Sequence, residues 1–250
     1  EINLFGVFDG HGPNGQKISQ YIASNYPDVL RAALEDWSGY APSSAVTQSF
    51  FQMDEMCWNS LGVDPLAKTG ATGTVVLQRG TGVLVGCIGD SRAVLGGGGR
   101  GTKVMSKEHN PADRAERARI EAAGGEVSVF PGEVPMAESG KGRVFIRGSD
   151  EPGLATSRSF GDLIAKQAGV VAEPEFVCEG SVSEGQVLVV ASDGVWDALD
   201  DNTAITSALE FAADRDAETA AGVLVDAARI VWESQSAGRI DDITALVVFF

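Results

Sequence analysis

The order of apolar and polar positions divides the chain into strand-like and helix-like runs. "GVLVGCIG", "QVLVVAS" and "ITALVVFF" are short apolar runs, the pattern of strands covered on both faces. "ATGTVVLQ", "GVLVGCIG" and "RAVLGG" follow one another through glycine-containing connections, which predicts an antiparallel meander. Helical periodicity predicts helices from about Gln16 to Asp36 and from about Ser43 to Leu61. A third helix is signalled by "HNPADRAERARIEAAGG", with Asn110 as N-cap, Pro111 in the first turn, Asp113 complementing the dipole and Gly124 at the end. Ala220, Val223, Leu224, Ala227, Ala228 and Val231 then form one apolar helix stripe that reads as a core face. Strands cluster in the middle and helices come in pairs, without regular βαβ alternation, so the expected class is α+β. Residues 129–152, rich in Gly, Glu and Pro, read as a long excursion near the site, since periodic segments resume at once.

Composition changes this picture only by exclusion. A chain of 250 residues needs no covalent staples, because one of this size buries about 70–75% of its unfolded surface. Its 19 basic and 35 acidic residues give a formal charge of −16, which argues against nucleic acid or an anionic membrane surface as partner. Cys57, Cys87 and Cys178 are odd in number and without a CxxC pair, and read as reduced core residues. There is no apolar run of transmembrane length and no signal-peptide pattern, so the expected setting is intracellular, cytoplasmic or nuclear. The chain opens without methionine and inside a strand pattern, so a preceding segment is expected.

Chemistry enters at the strand ends. Asp9 follows "LFGVF", Asp90 follows "GVLVGCIG", Asp193 follows "QVLVVAS", and Asp241 with Asp242 precedes "ITALVVFF". Any one of these reads as a turn aspartate. All four, packed side by side, would repel one another unless a divalent cation sat among them. Oxygen-only ligands suit Mg2+ or Mn2+, whereas Zn2+ would want cysteine or clustered histidine. His11, two residues beyond Asp9, is expected to take part in catalysis, and His109 to anchor the turn before its helix. "GGGGRG" matches a nucleotide-loop pattern but lacks the helix that should follow, and reads as a hairpin tip. Cys87 and Arg92 miss the cysteine-phosphatase spacing by one residue, and no GxSxG elbow occurs, so covalent catalysis has no support.

"FGVFDGHG", "TGATGTVVL", "GDSRAVL", "KEHNPADRAERARIEAAGG", "GLATSRSFGD", "VVAEPEF", "LVVASDGVWDAL" and "RIDDIT" resemble, in order, the motif set of the metal-dependent Ser/Thr protein phosphatases, type 2C. The likeness runs from about Phe5 to Phe249, and the "PGLATSRSFGD" form is nearer to plant and protist members. The resemblance implies one catalytic domain over residues 1–250, a β-sandwich of two antiparallel sheets flanked by helices, in α-β-β-α layers. It implies hydrolysis of phosphoserine and phosphothreonine in phosphorylated protein substrates by a metal-bridging water, without a phosphoenzyme. Carried over by position, Asp9 would bridge two Mg2+ or Mn2+ ions and the Gly10 carbonyl would bind one of them. Asp193 and Asp241 would complete the first ion's shell, Asp90 and Asp197 would hold a weaker third ion, and His11 would be the general acid. Glu108 stands where the family usually has aspartate. The family's upstream strand carries a phosphate-binding arginine and an acidic pair, and no counterpart precedes Glu1, so the domain is expected to lack its N-terminal strands. Should the 250-residue chain prove monomeric and as active as an extended one, Arg158 would be the first candidate for the phosphate contact. The rival reading is a catalytically impaired pseudophosphatase that keeps the fold as a binding or regulatory module.

Overall fold

The computed structural model describes residues 2–35, 42–62, 66–235 and 240–250. One four-stranded sheet runs in the order β1 (Asn3–Val7), β4 (Gly73–Arg79), β5 (Gly82–Ile88), β12 (Glu175–Glu179). A second runs β14 (Ala245–Phe249), β13 (Gln186–Ala191), β6 (Arg92–Gly97), β7 (Arg100–Val104). All ladders in both are antiparallel. The period-two alternation of the strands sorts the core into layers. In β4, Val75 and Leu77 join the apolar cluster under α1 (Gly15–Glu35) and α2 (Ser43–Leu61), while Val76 joins the cluster between the sheets. In β13, Leu188 and Val190 lie in that same inner cluster. Val187, Val189 and Ala191 face the helices Asp201–Leu209 and Ala217–Gln235. The α-β-β-α layering is therefore a direct product of the strand pattern. Under α1 and α2, Phe50 is fully buried and meets Tyr26 edge-on at 5.6 Å, the kind of contact worth about 0.5–1.5 kcal/mol beyond its area.

Two short sheets sit at the edge of this sandwich. β2 (Gly10–His11) and β11 (Phe160–Gly161) flank β3 (Gly70–Ala71), and β8 (Gly125–Ser128), β9 (Arg143–Ile146) and β10 (Pro152–Leu154) form the other. The latter packs with the helices Arg114–Ala122 and Leu163–Gln167 around its own small core of Ile120, Val127, Val144 and Ala165. Residues 129–152 hold β9 and a short helix, Met136–Ser139, so the excursion is an organised wall.

Several expectations are corrected. β4 and β5 pair as a hairpin, but β6 does not continue a meander; it pairs with β13 and β7 in the other sheet. The connection "GDS" is a sheet-to-sheet crossing, made at Gly89 with φ 92°, and this carries Asp90 to the sandwich edge. Asn110 is not the N-cap of its helix, which begins at Arg114 behind Asp113. Its carboxamide oxygen instead accepts from the backbone N–H of Ala112 and Gly142, closing a turn and pinning the excursion. Cys57 and Cys87 are buried, but Cys178 is exposed because it lies on the edge strand β12. Val223 is also exposed, since the last helix buries the narrower stripe Ala220, Leu224, Ala228. The hairpin tip at Gly98–Gly99 is as expected. Asp36, the expected end of the first helix, lies outside the described residues. Among the described residues no helix is long and apolar enough to cross a membrane.

Candidate active site

Each large sheet delivers two aspartates to one edge. Asp9 follows β1 and Asp90 follows β5 in the first sheet; Asp193 follows β13 and Asp241 precedes β14 in the second. The loops are tied in place by buried hydroxyls. Thr72 Oγ1 accepts from the Asp9 N–H at 3.1 Å and pairs with Ser91 Oγ at 2.7 Å, which joins the ends of β1 and β5. Ser192 Oγ donates to the Asp242 carbonyl at 3.1 Å and accepts from the Thr244 N–H, which joins β13 to β14. A side chain at position 194 would collide with the Asp242 carbonyl, so Gly194 lets the Asp241 loop close against Asp193. Asp9, Gly10, His11, Asp90, Asp193 and Asp241 together line one cavity of about 330 Å³.

The charges in this cavity strain against one another. Burial, then the Asp90 and Asp241 charges, holds the Asp9 carboxyl up at about 6, although a hydrogen bond to Asp193 and the nearby His11 oppose the rise. Burial, followed by the charges of Asp90, Asp9, Asp241 and Asp197, pushes Asp193 up to about 8. Asp90 is raised as well, by burial first, with Glu108 and Asp197 adding repulsion. At His11 burial works against the charged ring, yet Asp162, Asp90 and Asp9 outweigh it and raise the imidazole to about 9. Crowded, desolvated carboxylates of this kind are what a divalent cation relieves. Among the described residues no three such groups close on a single point. Mg2+ keeps several of its waters and takes only one or two carboxylates, so oxygen donors of this kind suit its chemistry.

Asp197 lies elsewhere. It lines a neighbouring cavity of about 600 Å³ that shares Asp90 and Asp193, and pairs with Lys141 at 3.3 Å. Glu108 lines the same cavity and pairs with Arg92. Arg158 is not a phosphate contact. It is buried, lines neither cavity, and donates to Glu116 at 2.7 Å and to Glu175 at 2.8 Å. The basic residues that do line the aspartate cavity are Lys68 and Arg143. Arg143 is held by Glu133, by the Gly153 carbonyl and by stacking on Phe130. His109 lines the neighbouring cavity; its backbone carbonyl accepts from Thr156 and Ser157, and its buried ring nitrogens have no hydrogen-bond partner among the described residues. The residue that pattern reading missed is Asp162, whose Oδ2 is 2.6 Å from His11 Nε2. It too follows a strand, but β11 has two residues and no apolar run to announce it.

A sequence model of the protein phosphatase 2C family matches residues 1–232. Probable protein phosphatase 2C 72 of Arabidopsis thaliana is 30% identical over 263 residues, covering 100% of this chain and 77% of the relative. Probable protein phosphatase 2C 64 of Oryza sativa subsp. japonica is 32% identical over 255 residues, covering 98% of this chain and 58% of the relative. The chain thus spans between about half and three quarters of the curated relatives it matches. Among solved structures, a serine-threonine phosphatase 2C from Toxoplasma gondii superposes with a TM-score of 0.73 at 24% identity, covering 100% of this chain and 85% of its own. A C. elegans sex determining protein superposes at 0.79 with 20% identity, covering 99% of this chain and 56% of its own. At those identities the structures speak for the fold. The family match over most of the sequence, together with relatives at 30% identity or above, makes this chain a member of the protein phosphatase 2C family of Ser/Thr phosphatases.

Proposed function

We propose that the chain hydrolyses phosphoserine and phosphothreonine in proteins, with Mg2+ or Mn2+ as cofactor. The observation that carries this is the convergence of Asp9, Asp90, Asp193 and Asp241, from two different sheets, with His11 on one cavity. Asp9, the Gly10 carbonyl, Asp193 and Asp241 would hold two ions, and Asp90 with Asp197 a weaker third. When bound, such ions would supply a water acidified toward hydroxide and offset the phosphate charge. His11, which lines the same cavity, would give a proton to the departing serine or threonine oxygen, a step typically worth about 10²–10⁴-fold. None of the three cysteines offers a covalent route. Burial pushes the Cys57 thiol up to about 12 and the Cys87 thiol up to about 11, and Cys178 lines neither cavity.

One observation favours the rival, a binding or regulatory module without turnover: among the described residues no three carboxylate or imidazole groups close on a single point. One assay separates the two. Phosphate release from a phosphothreonine peptide should appear with Mn2+ and vanish with chelator, and no release at saturating Mn2+ selects the module. His11→Gln should slow alkyl phosphoesters far more than aryl ones, whose phenolate leaves without a proton. Equal losses would remove His11 from that role.

A further inference from the structure

We propose that Asp162 is a positioning residue for this reaction: it holds the His11 ring through Nε2, so that Nδ1 is the nitrogen that meets the leaving oxygen. The proposal rests on the reading of His11 as proton donor.

Three features of the fold converge on this contact. His11 on β2 and Asp162 just beyond β11 stand on opposite sides of β3, where both ladders pair with Gly70. A side chain at position 70 would fall on Asp162 Oδ2, so the bare glycine is what lets the carboxylate reach across the strand to His11. Asp162 itself adopts φ 50° and ψ 53°, a left-handed conformation that costs a non-glycine residue free energy and persists only where surroundings enforce it. Those surroundings are on hand. Asp162 N–H donates to the Thr69 carbonyl at 2.9 Å, and Ser159 Oγ donates to the same Oδ2 at 2.6 Å. With two donors on one oxygen and 3% of its surface exposed, the carboxylate has little freedom, whereas the His11 side chain is 30% exposed to the cavity. A partly exposed imidazole tied to a buried, doubly held carboxylate has one orientation.

In the reaction, the oxygen of water bonds to phosphorus as the bond from phosphorus to the serine or threonine oxygen breaks. The electron pair left on that oxygen takes the proton from His11 Nδ1. The Nε2–H stays on Asp162, so the ring does not turn away during the step.

The test uses Asp162→Asn, because asparagine tolerates the left-handed backbone and keeps the volume. On a phosphothreonine peptide, kcat should fall about 10–100-fold, the usual range for losing an orienting partner, with KM unchanged. On an aryl phosphate the loss should be small, and His11→Gln/Asp162→Asn should be no slower on the peptide than His11→Gln alone. Ser159→Ala, which loosens Asp162 from the other side, should give a weaker version of the same split and serves if Asp162→Asn does not fold. Equal losses on both substrates, or additive losses in the double variant, would overturn the proposal. A second readout needs neither metal nor turnover. The chain has two histidines, so His11→Gln identifies the His11 ring signals by NMR. Those signals should be sharp and single in the metal-free wild type and broadened or averaged in Asp162→Asn, and unchanged signals would sink the positioning role. Should His11→Gln itself slow both substrates equally, the donor reading fails, while the NMR comparison still decides whether Asp162 orients the ring.

Discussion

Arg158 Nη2 stands 2.7 Å from Glu116 Oε1, with the two side chains 9% and 3% exposed. The guanidinium also reaches Glu175 and the Glu173 carbonyl, so it joins the helix Arg114–Ala122 to the segment that ends in Asp162. Removing one partner of a buried pair leaves the other uncompensated, at a typical cost of about 3–5 kcal/mol. Glu116→Gln should therefore lower the denaturant midpoint severely at neutral pH. A change below about 1 kcal/mol would show that the network adds little.

The same region sets the acid limit. Burial opposes charge on Glu116, yet hydrogen bonds from Arg158 and Ser157, with Arg119 nearby, hold its carboxyl down at about 2. Burial and the Arg158 charge hold His109 down at about 4. Both groups bind protons more readily when unfolded, so their stabilisation is present at neutral pH and lost on acidification. The His109 share should fade as pH drops from about 6.5 to about 4, and the Glu116 share from about 4.5 to about 2. Melting temperature against pH checks this, and His109→Gln should flatten only the upper part of the curve.

The strand-end carboxylates work in the opposite direction. Asp9 and Asp193 are raised from 3.8 to about 6 and about 8, so the metal-free chain should lose stability as pH rises through that window. Mg2+ or Mn2+ binds the deprotonated forms, so saturating ion should reverse the slope. Melting curves at pH 5 and pH 8.5, with chelator and with Mn2+, give the four points needed. Parallel lines would mean that the ion does not engage these groups.

Asp193→Asn makes the complementary case. Turnover should disappear and calorimetric Mn2+ affinity should weaken by more than about tenfold, the loss that even outer partners of a bound ion produce. The metal-free variant should melt no lower than wild type at pH 8.5, because a repelling charge has gone. Unchanged Mn2+ affinity would reduce Asp193 to a turn residue.

Lys68 lines the aspartate cavity beside Gly10, His11 and Gly12, and its ammonium pairs with Glu151 at 2.5 Å, both side chains about half exposed. Such a pair is worth only about 0.2–1 kcal/mol, so it exchanges readily for a phosphate. Lys68→Met should raise KM for a phosphopeptide about tenfold, the equivalent of roughly 1.4 kcal/mol, and Glu151→Gln should lower it. Inorganic phosphate as competitive inhibitor should follow the same order. No change in either variant would leave the pair as a surface contact.

How far the sequence could be read follows from what each signal encodes. The unbroken apolar runs in β4 and β13 mark two-sided burial, and with it the strands and their layers, because apolar residues must be covered on both faces. They do not say which sheet a strand enters. The step from β5 to β6 looked like a hairpin because "GDS" carries turn chemistry, and only the packing of Val94 under the outer helices puts β6 in the second sheet. Asp9, Asp90, Asp193 and Asp241 were legible because an apolar run precedes or follows each of them. Asp162 was not, since its two-residue strand has no periodicity and its partner lies across β3. Arg158 looked available because a sequence does not show that Glu116 and Glu175 fold onto it.

The four strand-end aspartates are split two and two between the sheets, and this has a consequence for parts of the molecule far from them. Asp9 and Asp193 come from different sheets yet meet through a hydrogen bond, so their alignment depends on how the sheets are held relative to each other, chiefly by Val7, Val76, Val85, Leu188 and Val190 between them. The interior is thus a spacer gauge for the site at its rim. A single methylene removed from Leu188 would register as a change in ion affinity before it registered as a loss of fold, and selection on catalysis would reach every residue of that inner layer.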